Sequence, residues 1–95
     1  MQHKTIEDLR NQIETIDKEL LILLSKRMHL SKEIAFLKNE NKENIVQLNV
    51  WRFQLENRLL ENNKLNIDTE FLIRIFSMIH EESIRIQNQE VEKLI

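Results

Sequence analysis

From Thr5 onward the apolar residues fall at Ile6, Leu9, Ile13, Ile16, Leu20 and Leu23, skip Arg27, and resume at Leu30, Ile34 and Leu37, in alternating steps of three and four. At 3.6 residues per turn that spacing keeps one face of an α-helix apolar for about 32 residues. "TIED" supplies a start, with Thr5 accepting from the first turn and Asp8 reaching back, and "NENKEN", Asn39 to Asn44, supplies a stop, since Asn tolerates the left-handed geometry usual for Gly. A second helix is read from about Val46 to Leu60, with Leu55, Leu59 and Leu60 on its core side, closing at Asn62 and Asn63. Asp68 caps a third, whose stripe runs Leu72, Ile75, Phe76, Ile79, Ser83 and Ile86. The pattern predicts an all-α fold of three helices, one long and two shorter, in a single domain over residues 1–95.

The first helix is too long for its chain. About 34 residues at 1.5 Å each make a rod of roughly 50 Å, whereas a compact chain of this size is only about 30 Å across. The two shorter helices cannot cover it. The far end is therefore expected to be buried by a second copy, in an intertwined homodimer; a long helix with a frayed, exposed end is the alternative.

Composition narrows the chemistry. Gly, Pro and Cys are all absent, which excludes disulfides, thiolate metal sites, glycine-rich phosphate loops and cysteine nucleophiles together. The net charge of −2 gives no broad basic field for nucleic acid, so any anion site must be local. The polar opening "MQHKTIEDLR" does not read as a signal peptide, and no apolar run approaches the roughly 20 residues of a membrane span, so a cytoplasmic protein is expected.

The polar residues inside the stripes carry the functional information. Arg27 holds a seam position, where a lone guanidinium is costly unless an anion or a carboxylate meets it. Lys38 lies eleven residues on, about 20° around and roughly 16 Å along the axis, so the two long cations can bracket a small molecule; the alternative is a solvated helix-end lysine. Arg10 is about 25 Å from Arg27 and rotated about 100°, so it cannot reach the same ligand on one rod. It either enters a partner's site in an antiparallel dimer or is a surface residue. Ser83 and Gln87, at i and i+4, continue the line of Phe76 and Ile79, where a pair of hydrogen-bonding groups serves a site or a buried network. His80 completes no catalytic triad and reads as a partly exposed histidine, while Glu81 and Glu82 read as solvated. His3, His29 and His80 lack metal-ligand spacing, and neither metal nor cofactor is expected.

From "IEDLRNQIETIDKELLILLSKRMHLSKEIAFLK" through "IDTEFLIRIFSMIHEESIRIQNQ" the chain resembles the all-helical class of chorismate mutases. The first segment is the more specific, with an LR pair, then ID, then LLxLLxxRM and a lysine eleven residues past the arginine. The resemblance implies that three helices interlock with those of a second chain and that each of two active sites receives Arg10 from the partner. It implies that Arg27 and an arginine near the start of the second helix, for which Arg52 is the candidate, contact substrate carboxylates. Lys38 and Gln87 would hydrogen-bond the ether oxygen of the breaking C–O bond, with Ser83 beside the substrate. The reaction implied is chorismate to prephenate, an intramolecular rearrangement needing no metal, covalent intermediate or proton transfer.

The second helix departs from the family pattern. Arginine-glutamate is common there, the glutamate helping to bind the substrate hydroxyl, whereas this chain reads "NVWRFQLENRLL". Aligning Arg52 with the arginine puts Phe53 at the glutamate; aligning by Leu55, Arg58 and Leu59 sets Trp51 at the arginine and Arg52 at the glutamate. Glu56, one turn beyond Arg52, is open as a substitute or as a salt-bridge partner, and Gln47 stands near a frequent aspartate. A monofunctional, free-standing chorismate mutase is expected, since the chain ends soon after the third helix. The alternatives are an isochorismate-pyruvate lyase on the same scaffold and a non-catalytic helical dimerisation module, which gives no reason for Arg27, Lys38, Ser83 and Gln87 to sit as they do.

Overall fold

In a computed structural model, which describes residues 4–94, the first helix, α1, runs unbroken over Ile6–Glu40. Its start is the capping box read from "TIED": Asp8 N donates to Thr5 Oγ1 at 3.1 Å and Thr5 N donates to Asp8 Oδ2 at 3.0 Å. Its end differs from expectation in one respect, because the left-handed residue is Lys42, at φ 57°, and not an asparagine. Glu43 N donates to Lys38 O at 2.7 Å and Lys42 N to Asn39 O at 3.3 Å, the paired bonds of a Schellman turn. Those two bonds satisfy the last carbonyls of α1 and offset the roughly 1 kcal/mol that a side-chain-bearing residue loses in this conformation.

The second helix, α2, spans Leu48–Glu61, starting two residues later than the sequence suggested, and a short 3-10 turn follows over Asn62–Lys64. Asn62 brackets the next bend with its side chain, donating to Ile67 O at 2.6 Å and accepting from Ile67 N at 2.9 Å, while Asn66 takes the left-handed geometry at φ 56°. The third helix, α3, spans Thr69–Lys93 and is capped by Asp68, whose carboxylate accepts from Phe71 N at 2.9 Å.

α1 and α3 run side by side in the same sense, with Ser31 against Ser83 and Lys38 against Gln87. Ala35, with no exposed surface, and Ser31 are small enough to bring the two rods close, and they sit with Leu72, Ser83, Ile86 and Gln87 in the buried centre. Half of those residues are polar, so the core and the hydrogen-bonded site are largely one object. On α2, Leu55 and Leu59 turn inward as expected, but Leu60 is 66% exposed, because one further residue is a 100° rotation away from the face they share.

The apolar stripe of α1 is the larger departure. Ile13 at 56% and Leu20 at 52% are exposed, as are Ile6, Leu9, Ile16 and Leu23, because the face of α1 that meets α3 begins only near Leu24. The molecule measures 62 × 27 × 16 Å with a radius of gyration of 17.5 Å. A compact chain of this length would have about 12 Å.

Candidate active site

One cavity of about 400 Å³ opens between the second half of α1, the start of α2 with the loop before it, and the second half of α3. That is the size of a small-molecule site. α1 sends Arg27, Ser31, Ile34 and Lys38 into it at steps of three and four, and α3 sends His80, Ser83 and Gln87 by the same rule.

Arg27 is half-buried, and among the described residues no carboxylate pairs with it. Burial, and then the neighbouring Arg58 guanidinium, push it below the ordinary arginine value. Arg58 cannot swing away freely, since it lies 5.3 Å over the Phe76 ring and donates to Gln54 O at 2.7 Å. Two cations held near one another without a counter-charge favour an anion at Arg27.

Lys38 Nζ donates to Ile45 O at 2.6 Å and to Gln87 Oε1 at 3.0 Å. Burial lowers its pKa and Glu43 partly opposes that shift. A lysine has donors only, so it fixes the Gln87 amide with oxygen toward Lys38 and nitrogen toward Ser83, whose Oγ accepts at 3.1 Å. Ser83 and Ser31 share a 2.6 Å bond, and Ser31 Oγ donates to Arg27 O at 3.2 Å. The hydrogens therefore run one way, Gln87 to Ser83 to Ser31 to the Arg27 carbonyl, a chain in which each bond orients the next. Among the described residues it leaves one N–H on Lys38 and one on Gln87 without an acceptor.

The remaining wall is uncharged. The Trp51 and His80 rings stack at 4.2 Å between centroids and 11° between planes. Burial, and then Arg27 and Lys38, push His80 below the usual histidine value while Glu81 opposes, so the imidazole is neutral at pH 7.

Of the residues singled out in the sequence, Arg27, Lys38, Ser83 and Gln87 converge on this cavity, and Gln47 lines it too. Arg10 is exposed in the first half of α1, far from it along the rod. Arg52 is exposed and outside the lining, as is Glu56; α2 turns Val50, Trp51 and Gln54 toward the cavity instead. His80, read as partly exposed, is half-buried in the wall, and His3 lies outside the described residues. Ser31 and Gln54 were not anticipated, and Trp51 entered only as the residue at the family arginine when α2 is aligned by Leu55, Arg58 and Leu59. A signal for Ser31 existed, since it stands one turn beyond Arg27 and one before Ala35, a run of small side chains on a helix that must pack closely.

The sequence matches the chorismate mutase type II family over residues 9–88. It is 31% identical over 84 residues to the bifunctional chorismate mutase/prephenate dehydratase of Buchnera aphidicola subsp. Acyrthosiphon pisum and 32% identical over 85 residues to that of Enterobacter agglomerans. These alignments take in 88% and 90% of this chain and 22% of each relative, so the chain spans about a fifth of the length of the curated relatives it matches. Running from Leu9 to Asn88, the family match takes in all of α2, most of α1 and α3 and every member of the hydrogen-bonded chain, and the protein belongs to the chorismate mutase type II family.

Proposed function

We propose that residues 1–95 act as one catalytic domain that rearranges chorismate to prephenate, in the cytoplasm and in the service of aromatic amino-acid synthesis. The observation that carries this reading is the Lys38–Gln87 pair, with one N–H free on each, beside a half-buried Arg27 that has no carboxylate among the described residues. Two adjacent donors suit an oxygen on which negative charge grows, as the ether oxygen's does when its bond to carbon lengthens. Arg27 suits a carboxylate, because a guanidinium fork matches its two oxygens, whereas the lysine point charge suits a single atom. Held at both ends, the dianion is confined to its folded, pseudo-diaxial shape, and that restraint itself lowers the barrier. Within the described residues no helix is long and apolar enough to cross a membrane, which fits a cytoplasmic enzyme.

The second substrate carboxylate falls to the partner's Arg10 in a homodimer, since α2 contributes no cation to the lining. The uncovered stripe of α1 and the 62 Å length of the lone chain support pairing.

Purified protein incubated with chorismate is expected to consume its ultraviolet absorbance and yield prephenate by NMR. Salicylate and pyruvate from isochorismate would instead mark a lyase, and turnover of neither would mark a non-catalytic module. In the same assay Arg10→Ala and Lys38→Ala are each expected to be nearly inactive, yet their equimolar mixture, after subunit exchange, regains about a quarter of the wild-type sites, because a mixed dimer keeps one intact site in two. A mixture no more active than its components would remove Arg10 from the partner's site.

A further inference from the structure

The charged half of the cavity explains how a dianion is held, but not how its uncharged part is read. Trp51 and His80 come from different helices and meet face to face. Trp51 is the one tryptophan of the chain, and both rings line the cavity. Stacking uses ring faces, whereas the hydrogen bonds of an imidazole lie in the plane of the ring, at its edge. A stacked His80 thus keeps both nitrogens available while its tilt is fixed, and among the described residues neither nitrogen makes a hydrogen bond.

We propose that the Trp51–His80 stack is the specificity wall of the site, with the His80 ring edge as the group that hydrogen-bonds a hydroxyl on the ring of the dicarboxylate ligand. This rests on the mutase reading, since chorismate carries such a ring hydroxyl on the carbon next to the one that bears the ether. Three features support it. Burial, and then the cations Arg27 and Lys38 that face His80 from α1, outweigh Glu81 on its own helix and favour the neutral imidazole, with one donor and one acceptor. A hydroxyl, itself both donor and acceptor, is the natural complement of that ring, whereas a third cation would bind any dianion with less discrimination. The stack also costs the ligand little ordering, because the ring is already held in place when the ligand arrives.

The test uses Trp51 as its own reporter. A saturated bicyclic dicarboxylate bearing the ring hydroxyl, and its deoxy counterpart, are titrated into the full chain while tryptophan emission is followed. The wild-type protein is expected to bind the hydroxylated compound about tenfold more tightly, as one hydrogen bond to a preorganised partner would give. His80→Phe, which keeps a ring for Trp51 to stack on, is expected to bind the two compounds equally. His80→Ala is read in the same way if the phenylalanine variant does not fold. A preference retained by the variant, or no preference in the wild type, overturns the proposal. Wild-type protein that binds neither compound overturns both this inference and the mutase reading. A wild-type preference without conversion of chorismate sinks the mutase reading alone and leaves the wall standing.

Discussion

Lys38→Ala is expected to lower kcat/KM for chorismate by about 10²- to 10³-fold, the usual loss when one preorganised donor to a developing oxyanion is removed. The helical circular-dichroism signal is expected to survive, because Lys38 is the final-turn cation of a 35-residue helix whose end is held by the Lys42 Schellman turn. The side chain also ties down the loop before α2 through Ile45 O, so part of the loss could be structural. Lys38→Met, which keeps the stem but removes the ammonium together with its bond to Ile45 O, separates the packing of the stem from the work of the ammonium. An equal loss in both variants assigns the effect to the ammonium, and full activity in either would remove Lys38 from the chemistry.

The same nitrogen sets the pH dependence. In the proposed mechanism Lys38 acts protonated, and burial lowers its pKa from the ordinary 10.5. In the free enzyme kcat/KM should therefore be sustained at neutral pH and fall as pH rises through a value below that of an exposed lysine. A bound dianion favours the charged ammonium, so the corresponding limb of kcat should lie at higher pH. No acid limb is expected from position 87, because an amide does not titrate. Rate profiles between about pH 6 and 11 would show both features.

Ile16→Asp is expected to collapse the assembly, with a fall in sedimenting mass, helicity and activity together. Within a single chain the change should do almost nothing: Ile16 is 59% exposed, and surface substitutions are usually worth within about 0.5 kcal/mol. In a two-fold pair the same position is buried against the other rod, an unpaired carboxylate there costs about 3–5 kcal/mol, and symmetry introduces it twice. Analytical ultracentrifugation with thermal melts reads the contrast directly. An unchanged mass and melting temperature would show that the stripe is not an interface at Ile16.

Much of this architecture was readable along the chain because its causes are local. Thr5 and Asp8 lie three residues apart, Asp68 caps Phe71, and the stripe of α3 needs only the helical period. Arg27, Ser83 and Gln87 were legible for a related reason, since a polar residue where an apolar one belongs stands out against a regular pattern, and Lys38 was legible from the helix face it shares with Arg27. What escaped depends on how helices meet. Ser31 sits on the face toward α3, which is offset from the long stripe. Trp51 stands one turn before Leu55 on the inward face and Arg52 is rotated about 100° from it, so the helical period itself favours Trp51, whereas Arg52 was the candidate that the resemblance supplied. The Trp51–His80 stack needs the registers of two helices at once.

The unbroken length of α1 has a mechanical consequence. In the proposed dimer Arg10 near one end would serve one site and Lys38 near the other end the second, which would make the rod a gauge bar between two reaction centres. A bend of only about 5° at its middle would move each tip by about 2 Å, several times the roughly 0.5 Å tolerance of a working constellation. A chain free of glycine and proline gives that lever no weak point, so in such a dimer its stiffness would keep both centres in tune at once.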